Sequence, residues 1–248
     1  MEDLDREREV PGCADQMLRT LEVYGMTWDG AVEYQSRRTA YYTEALDELA
    51  RRGVLFECSC SRRDLSGDGG YPGTCREGPQ RSGPTATRFR VDDGMIEFED
   101  RAQGRCAFDL RERGDFVVRR RDGAFAYQLA VVVDDARQAV TDVVRGADLL
   151  DNTPWQIALQ GVLGLPTPRY THLPLVVEPQ AGKLSKSRRA LALDNQDIGA
   201  QLYQSLTILG QNPPRKLKLE PGPVILSWAT VHWSVERFRG VREVLLRG

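Results

Sequence analysis

Val140-Thr141-Asp142-Val143-Val144-Arg145-Gly146-Ala147-Asp148 is the stretch on which the reading of the fold turns. Its β-branched residues favour a strand over 140–145, and Arg145 closes that strand at a point where an uncompensated charge is costly. Two explanations fit such an arginine. It clamps a ligand carboxylate, whose two oxygens match the guanidinium fork, or it forms a structural ion pair with Asp142 or Asp134. Downstream, an apolar helix is predicted from about Thr153 to Leu163, then a strand over Leu173–Val177, then the loop Gly182-Lys183-Leu184-Ser185-Lys186-Ser187. Upstream, Tyr127–Val133 is buried by composition, as a strand or a helix.

Further out, Pro11 is placed as a first helical residue, with Ala14, Met17, Leu18, Leu21 and Tyr24 at helical spacing, which predicts a helix over 11–24. A second helix is predicted over about 36–52, with Tyr41, Ala45, Leu46 and Leu49 on one face and Gly53 as its stop. Val54-Leu55-Phe56 reads as a short strand, and residues 65–87 have loop composition. Short strands around Arg88–Val91, Met95–Phe98, Cys106–Leu110 and Phe116–Arg119 make 54–120 look like an insertion. Helical patterns close the chain near 196–209, opened by an Asp194 cap, and 223–247.

With 248 residues, 41% of them hydrophobic and 28% charged, the chain can bury a real core, and disorder and collagen-like architectures are excluded. No apolar run has the length of a membrane span, and Met1–Glu9 alternates acid and base where a signal peptide would be apolar, so a cytoplasmic protein is expected. The net charge of −2 leaves nucleic-acid binding to local patches, for which Arg119, Arg120, Arg121, Arg188 and Arg189 are candidates.

Of the five cysteines, three crowd into Cys58-Ser59-Cys60 and Cys75. That pattern favours a metal site or free thiols in a reducing compartment over a disulfide framework, while Cys13 and Cys106 read as idle thiols. Three thiolates at one tetrahedral zinc need a fourth ligand: a water, a carboxylate of Glu57, Asp64 or Asp68, or the phenolate of Tyr71. In the loop after the last strand, Lys183 and Lys186 suit compensation of charge on a phosphate chain, although lysine-serine loops are common on solvated surfaces. The acids Glu2, Asp3 and Asp5 can receive an ammonium group or a metal, or stand as ordinary surface acids.

Taken in order, these motifs resemble the class I glutamyl-tRNA synthetases, and within them the short glutamyl-queuosine tRNA(Asp) synthetases. Met1-Glu2-Asp3-Leu4-Asp5 is similar to the family's Arg-Ile-Glu-Asp-Thr-Asp segment without its arginine. The run from Asp122 through Tyr127 to Asp135, with Val140–Asp148, resembles its glutamate-binding stretch, and Lys183-Leu184-Ser185-Lys186-Ser187 resembles the KMSKS signature. The order Cys-x-Cys, Tyr, Cys resembles the zinc site of the short enzymes and makes Tyr71 the favoured fourth ligand beside Cys58, Cys60 and Cys75.

The resemblance implies an α/β fold, a Rossmann-like class I catalytic domain carrying an inserted zinc-containing α+β subdomain. It divides the chain into a truncated N-terminal part of the catalytic domain (1–53), an inserted acceptor-type subdomain (54–120), a second catalytic half with the KMSKS-like loop (121–190), and a C-terminal helical region without an anticodon-binding domain (191–248). The family's opening strand, Arg-x-Ala-Pro-Ser/Thr-Pro turn and HIGH-like helix start have no counterpart, so the first strand and HIGH helix are expected to be missing. It also implies roles: Glu2 on the α-ammonium of L-glutamate, Tyr127 beside the amino acid, Arg145 on the side-chain carboxylate, and the catalytic lysines Lys183 and Lys186 on the phosphates of ATP, which is bound with magnesium as a substrate alongside the zinc cofactor. The implied acceptor is tRNA(Asp) carrying queuosine, and the implied form is a monomer away from membranes. The rival readings are charging of tRNA(Glu) and a non-catalytic zinc-stabilised RNA-binding module.

Overall fold

The computed structural model describes residues 1–65, 71–92, 94–178, 182–183, 193 and 197–245. In chain order the elements are α1 Cys13–Val23, α2 Thr39–Arg51, β1 Leu55–Cys58, β2 Ala86–Phe89, β3 Met95–Asp100, β4 Gly104–Asp109, the short α3 Leu110–Arg113, β5 Phe116–Arg119, α4 Tyr127–Arg137, β6 Asp142–Gly146, α5 Thr153–Leu163, β7 Arg169–Leu173, β8 Leu175–Glu178, β9 Gly182–Lys183, α6 Ile198–Ile208, α7 Gly222–His232 and β10 Glu243–Leu245.

The stretch quoted first forms β6, which runs parallel to β7 with Arg145 opposite His172. β7 in turn meets β3 in parallel, and β3 forms an antiparallel hairpin with β4, giving a mixed sheet of order β4-β3-β7-β6. A second, antiparallel sheet of order β1-β2-β5 carries the cysteine segment, and a third joins β10, β8 and β9. Residues 54–120 are therefore shared between two sheets: β1, β2 and β5 stand in one, while β3 and β4 extend the sheet that holds Arg145.

The main core lies under α2, α4 and α5, where Leu49, Leu129 and Leu159 are fully buried beside Tyr42, Val118 and Phe89. α5 begins with Pro154 in its first turn and ends at Gly164 in the left-handed conformation, which is why its limits were readable. Tyr127–Val133 resolves as helix. Asp134 on α4 ties three elements together, accepting from Gln35 Nε2 at 3.0 Å, Arg38 Nε at 2.8 Å and Tyr42 Oη at 2.8 Å.

Several expectations are corrected. Pro11 does not start α1, because Gly12 has φ 79°, a left-handed value from which a right-handed helix starts only afterwards, at Cys13. None of Cys13–Val23 is buried, and Met17 and Leu21 are exposed, whereas Tyr24 packs with Leu202, Leu206 and Ile225. On α2 the inward tyrosine is Tyr42, with Tyr41 exposed, since a 3-10 turn at Gln35–Arg37 precedes the helix and sets its phase. β7 occupies Arg169–Leu173, a polar stretch without the alternation of a half-buried strand. The expected helix over 223–247 ends at His232, and β10 follows. Asp194 lies outside the described residues; α6 is capped by Asp197, whose carboxylate accepts from Ala200 N at 3.4 Å. Met1–Asp5 has no regular secondary structure and is held by Met1 O accepting from Gln35 N at 3.0 Å and by the Asp3 carboxylate accepting from Ser36.

Removing the Asp134 carboxylate strands a nearly buried Arg38 guanidinium, relieved only by Glu33 at 3.1 Å. Asp134→Ala is expected to lower stability in urea unfolding by about 3 kcal/mol, against about 1 kcal/mol for Tyr42→Phe, which deletes one hydrogen bond. Equal losses would contradict this assignment.

Candidate active site and metal centre

α4 and β6 together build a small cavity of about 420 Å³. Tyr127, Val131 and Asp135 are spaced four apart and so share one face of α4, while Val143 and Arg145 alternate with the exposed Val144 on β6. These five residues, with Leu149 and Glu2, line the cavity. The structure thus brings Glu2, Tyr127 and Arg145 to one place.

Arg145 is held along one edge. Its Nε donates to His172 Nε2 at 3.0 Å, an Nη donates to Thr153 Oγ1 at 2.7 Å, and the guanidinium carbon lies 5.2 Å from the centre of the Tyr170 ring. Neither carboxylate suggested by a structural ion pair is available to it: Asp142 is taken by Arg169 at 2.6 Å and Asp134 by Arg38. Among the described residues no carboxylate pairs with Arg145 at all. Glu2 and Asp135 line the same cavity without forming a salt bridge to Arg145, so this half-buried cation keeps a face that can receive an anion. Burial pushes the Tyr127 phenol up, with Arg145 and Gln156 as neighbours that pull it down, so the ring stays a neutral donor.

A larger cavity of about 970 Å³ shares Glu2 and Tyr127 with the first and extends past Phe125, Arg88 and Arg121 to Cys60 and Ser61. It links the amino-acid-sized pocket to the cysteine knuckle. There the thiols of Cys58, Cys60 and Cys75 lie within 4.8 Å of one another, with Cys60 and Cys75 3.6 Å apart. Thiolates bound at about 2.3 Å to one tetrahedral ion would stand roughly 3.8 Å apart, so the cluster can hold a metal ion. The Tyr71 hydroxyl accepts from Cys75 N at 2.7 Å and lies 3.7 Å from Cys58 Sγ. Of the carboxylates considered as fourth ligand, Glu57 is engaged by Thr85 and Thr87 and Asp64 by Arg81 and Ser61, while Asp68 lies outside the described residues. Burial raises the Cys75 thiol, but backbone N–H donors from Gln80 and Ser59 more than offset it and bring it down to about 6. Cys60 goes the other way, up to about 12, through burial and the neighbouring thiols. A cation would relieve that crowding by displacing protons.

Of the other candidates, Arg120 and Arg121 line the larger cavity. Lys183 belongs to β9, paired with Val177, and Lys186, Arg188 and Arg189 lie outside the described residues. Arg119, Arg120 and Arg121 all have internal partners: Arg119 donates to Gly123 O, Arg120 pairs with Asp5 and Asp122, and Arg121 donates to Ser59 O and Cys60 O. The sequence reading missed Asp135, His172, Thr153 and Asp100; Asp135 was findable from its i+8 spacing to Tyr127.

A family model described as tRNA synthetases class I (E and Q), catalytic domain, matches residues 1–68 and 72–211. A protein named glutamyl-Q tRNA(Asp) synthetase from Ectopseudomonas mendocina (strain ymp) is 49% identical over 252 residues, covering 100% of this chain and 86% of that one. The chain belongs to this synthetase family. A relative of the same name from Thiobacillus denitrificans is 50% identical over 245 residues, covering 95% of the chain and 81% of the relative. Among solved structures, a glutamate-tRNA synthetase from Elizabethkingia anophelis superposes with TM-score 0.77 at 19% identity, covering 100% of this chain and 60% of that one. A glutamate tRNA ligase from Elizabethkingia meningosepticum, in complex with its amino acid, gives 0.75 at 20% identity, with 98% and 59% covered. The chain thus spans about three fifths of these solved synthetases, and the likeness establishes the class I catalytic fold with its mixed α/β sheets.

Burial pushes the Asp135 carboxyl up to about 6; Arg145 opposes the rise, while Asp134 and Glu2 add to it. The folded chain therefore holds this proton more tightly than the unfolded chain does, and the stability it contributes declines as pH climbs from about 4 to about 6. Asp135→Asn is expected to be on the order of 2 kcal/mol more stable than the parent at about pH 8 and nearly equal at about pH 4, in urea unfolding at both. A variant that is no more stable at the higher pH would refute the assignment.

Proposed function

We propose that this chain activates L-glutamate with ATP and transfers it to queuosine at the wobble position of tRNA(Asp). The observation that carries the proposal is Arg145, a guanidinium without a salt bridge among the described residues that lines a cavity of about 420 Å³, in a chain 49% identical over its length to a protein named for this reaction. Arg145 receives the side-chain carboxylate, Tyr127 lies beside it, and Glu2 receives the α-ammonium at the far end. A dicarboxylic amino acid is thereby held by both charged ends.

In the reaction, an oxygen of the glutamate α-carboxylate attacks the α-phosphorus of magnesium-bound ATP. The bond to the bridging oxygen breaks, and pyrophosphate leaves. Lys183 and Lys186 offset the negative charge that builds on the departing pyrophosphate. A hydroxyl of the acceptor base then attacks the mixed anhydride and releases AMP. No covalent bond to the protein forms.

Zinc is the metal proposed for the knuckle, held by Cys58, Cys60, Cys75 and the Tyr71 oxygen. It supplies a structural cross-link that holds the β1 end against the loop bearing Cys75. No membrane-spanning helix is present among the described residues, and a reducing, cytoplasmic setting suits the free thiols. A monomer acting on ATP, glutamate and tRNA completes the proposal.

Glutamate-dependent exchange of pyrophosphate into ATP, without tRNA, tests activation, and labelled glutamate tests the acceptor. Label is expected on tRNA(Asp) containing queuosine; label on tRNA(Glu) instead would overturn the acceptor assignment. Arg145→Ala is expected to lower kcat/KM for glutamate roughly a hundredfold, as loss of a charge-assisted carboxylate contact does. Metal analysis should find about one zinc per chain, and Cys75→Ser should lose it and lower Tm. A metal-free native chain of unchanged Tm would contradict the zinc assignment.

A further inference from the structure

Behind Arg145, outside the lining of its cavity, two fully buried polar residues stand in line: His172 on β7 and Asp100 at the end of β3. We propose that Asp100 and His172 are positioning residues that set the orientation of the Arg145 guanidinium by fixing the tautomer of the imidazole between them. The inference rests on the reading of Arg145 as the glutamate clamp and adds two residues that never meet the substrate.

The protons can be assigned one by one. Asp100 Oδ1 accepts three backbone N–H groups, from Ala102 at 2.9 Å, Gln103 at 2.8 Å and His172 at 3.2 Å. Its other oxygen lies 2.6 Å from His172 Nδ1. Burial raises this carboxyl, yet the hydrogen bonds from His172 and those N–H groups more than compensate, so it stays ionised and can only accept. Nδ1 must therefore carry the proton, which leaves Nε2 as a lone pair. Two groups reach Nε2: Arg145 Nε at 3.0 Å and Thr153 Oγ1 at 3.2 Å. The threonine hydroxyl donates to Leu149 O at 3.1 Å and accepts from an Arg145 Nη at 2.7 Å. The lone pair of Nε2 is thus the acceptor for Arg145 Nε–H. With the opposite tautomer, two N–H groups would face each other.

The consequence is directional. Two neighbouring nitrogens of the guanidinium are fastened to β7 and to the start of α5, so the rotation of the fork is settled before ligand arrives. Sheet register makes this arrangement: Arg145 stands opposite His172, and Asp100 opposite Tyr170, two residues from His172 on the same face of β7. A row of buried polar groups is costly unless every partner is present, so the row is sensitive to one misplaced proton.

Asp100→Asn is the informative variant, because it conserves shape and reverses the proton. The three backbone N–H groups hold the amide oxygen in the place of Oδ1, and the amide NH2 then faces Nδ1 and drives the ring proton to Nε2, against Arg145. The expected result is a glutamate KM raised about tenfold in pyrophosphate exchange, with the ATP KM unchanged. The chain has two histidines, His172 and His232, so ring 15N spectra can follow the proton directly: on Nδ1 of His172 in the parent, on Nε2 in the variant. A parent ring protonated on Nε2 overturns the proposal even where the variant does not fold, and so does a switched tautomer with unchanged glutamate KM. His172→Gln, which keeps an acceptor near the Nε2 position, is expected to stay within about threefold of the parent KM, whereas His172→Asn, which keeps only the bond toward Asp100, is not. Equal KM values in these two overturn it as well. If Arg145→Ala leaves the glutamate KM untouched, the clamp reading itself fails; if Arg145→Ala raises it and Asp100→Asn does not, only the positioning role fails.

Discussion

A half-buried guanidinium that forms no salt bridge among the described residues is the constraint from which the rest of this site follows. Desolvating a charge without a partner is expensive, and a chain usually resolves the difficulty with an internal ion pair. Here Asp142 is committed to Arg169 and Asp134 to Arg38, while Asp135 and Glu2 line the cavity without a salt bridge to Arg145. Arg145 keeps its neutral acceptors, His172 and Thr153, on one side and a cavity on the other. The proposed substrate supplies what the protein withholds, so binding energy and selectivity for a second carboxylate come from one contact.

The two sheets divide the work. The β4-β3-β7-β6 sheet sets Arg145, His172 and Asp100 in register, and its hydrogen bonds make that geometry stiff. The β1-β2-β5 sheet carries the thiol cluster, and Arg121, donating to Ser59 O and Cys60 O, ties the cluster to the turn that leads into Tyr127. A metal held by this cluster would be coupled to the pocket through the backbone that enters α4.

Local elements were legible where their signals are local. α5 carries its own start and stop in Pro154 and Gly164, and Phe116–Arg119 shows the composition of a strand and is one. Phase and polarity were the points of failure: the 3-10 turn ahead of α2 exchanged the roles of Tyr41 and Tyr42, and β7 hides a central strand in Arg-Tyr-Thr-His-Leu. At the site, Glu2, Tyr127 and Arg145 could be named from type and order, since a charge closing an apolar strand is conspicuous. Asp100 could not, because it ends an acidic surface run, and its contact with His172, 72 residues away, is made only by sheet register. The same holds for the choice between clamp and ion pair at Arg145, which depends on where Asp142 and Asp134 turn.

The central claim is that one cavity grips a dicarboxylic amino acid by both ends. A crystal structure with bound L-glutamate tests it most directly. The account predicts the side-chain carboxylate within about 3 Å of the Arg145 guanidinium and the α-ammonium toward Glu2, with the Arg145 to His172 contact intact. Glutamate bound elsewhere, or seated in this cavity with Arg145 turned away from either carboxylate, would contradict it.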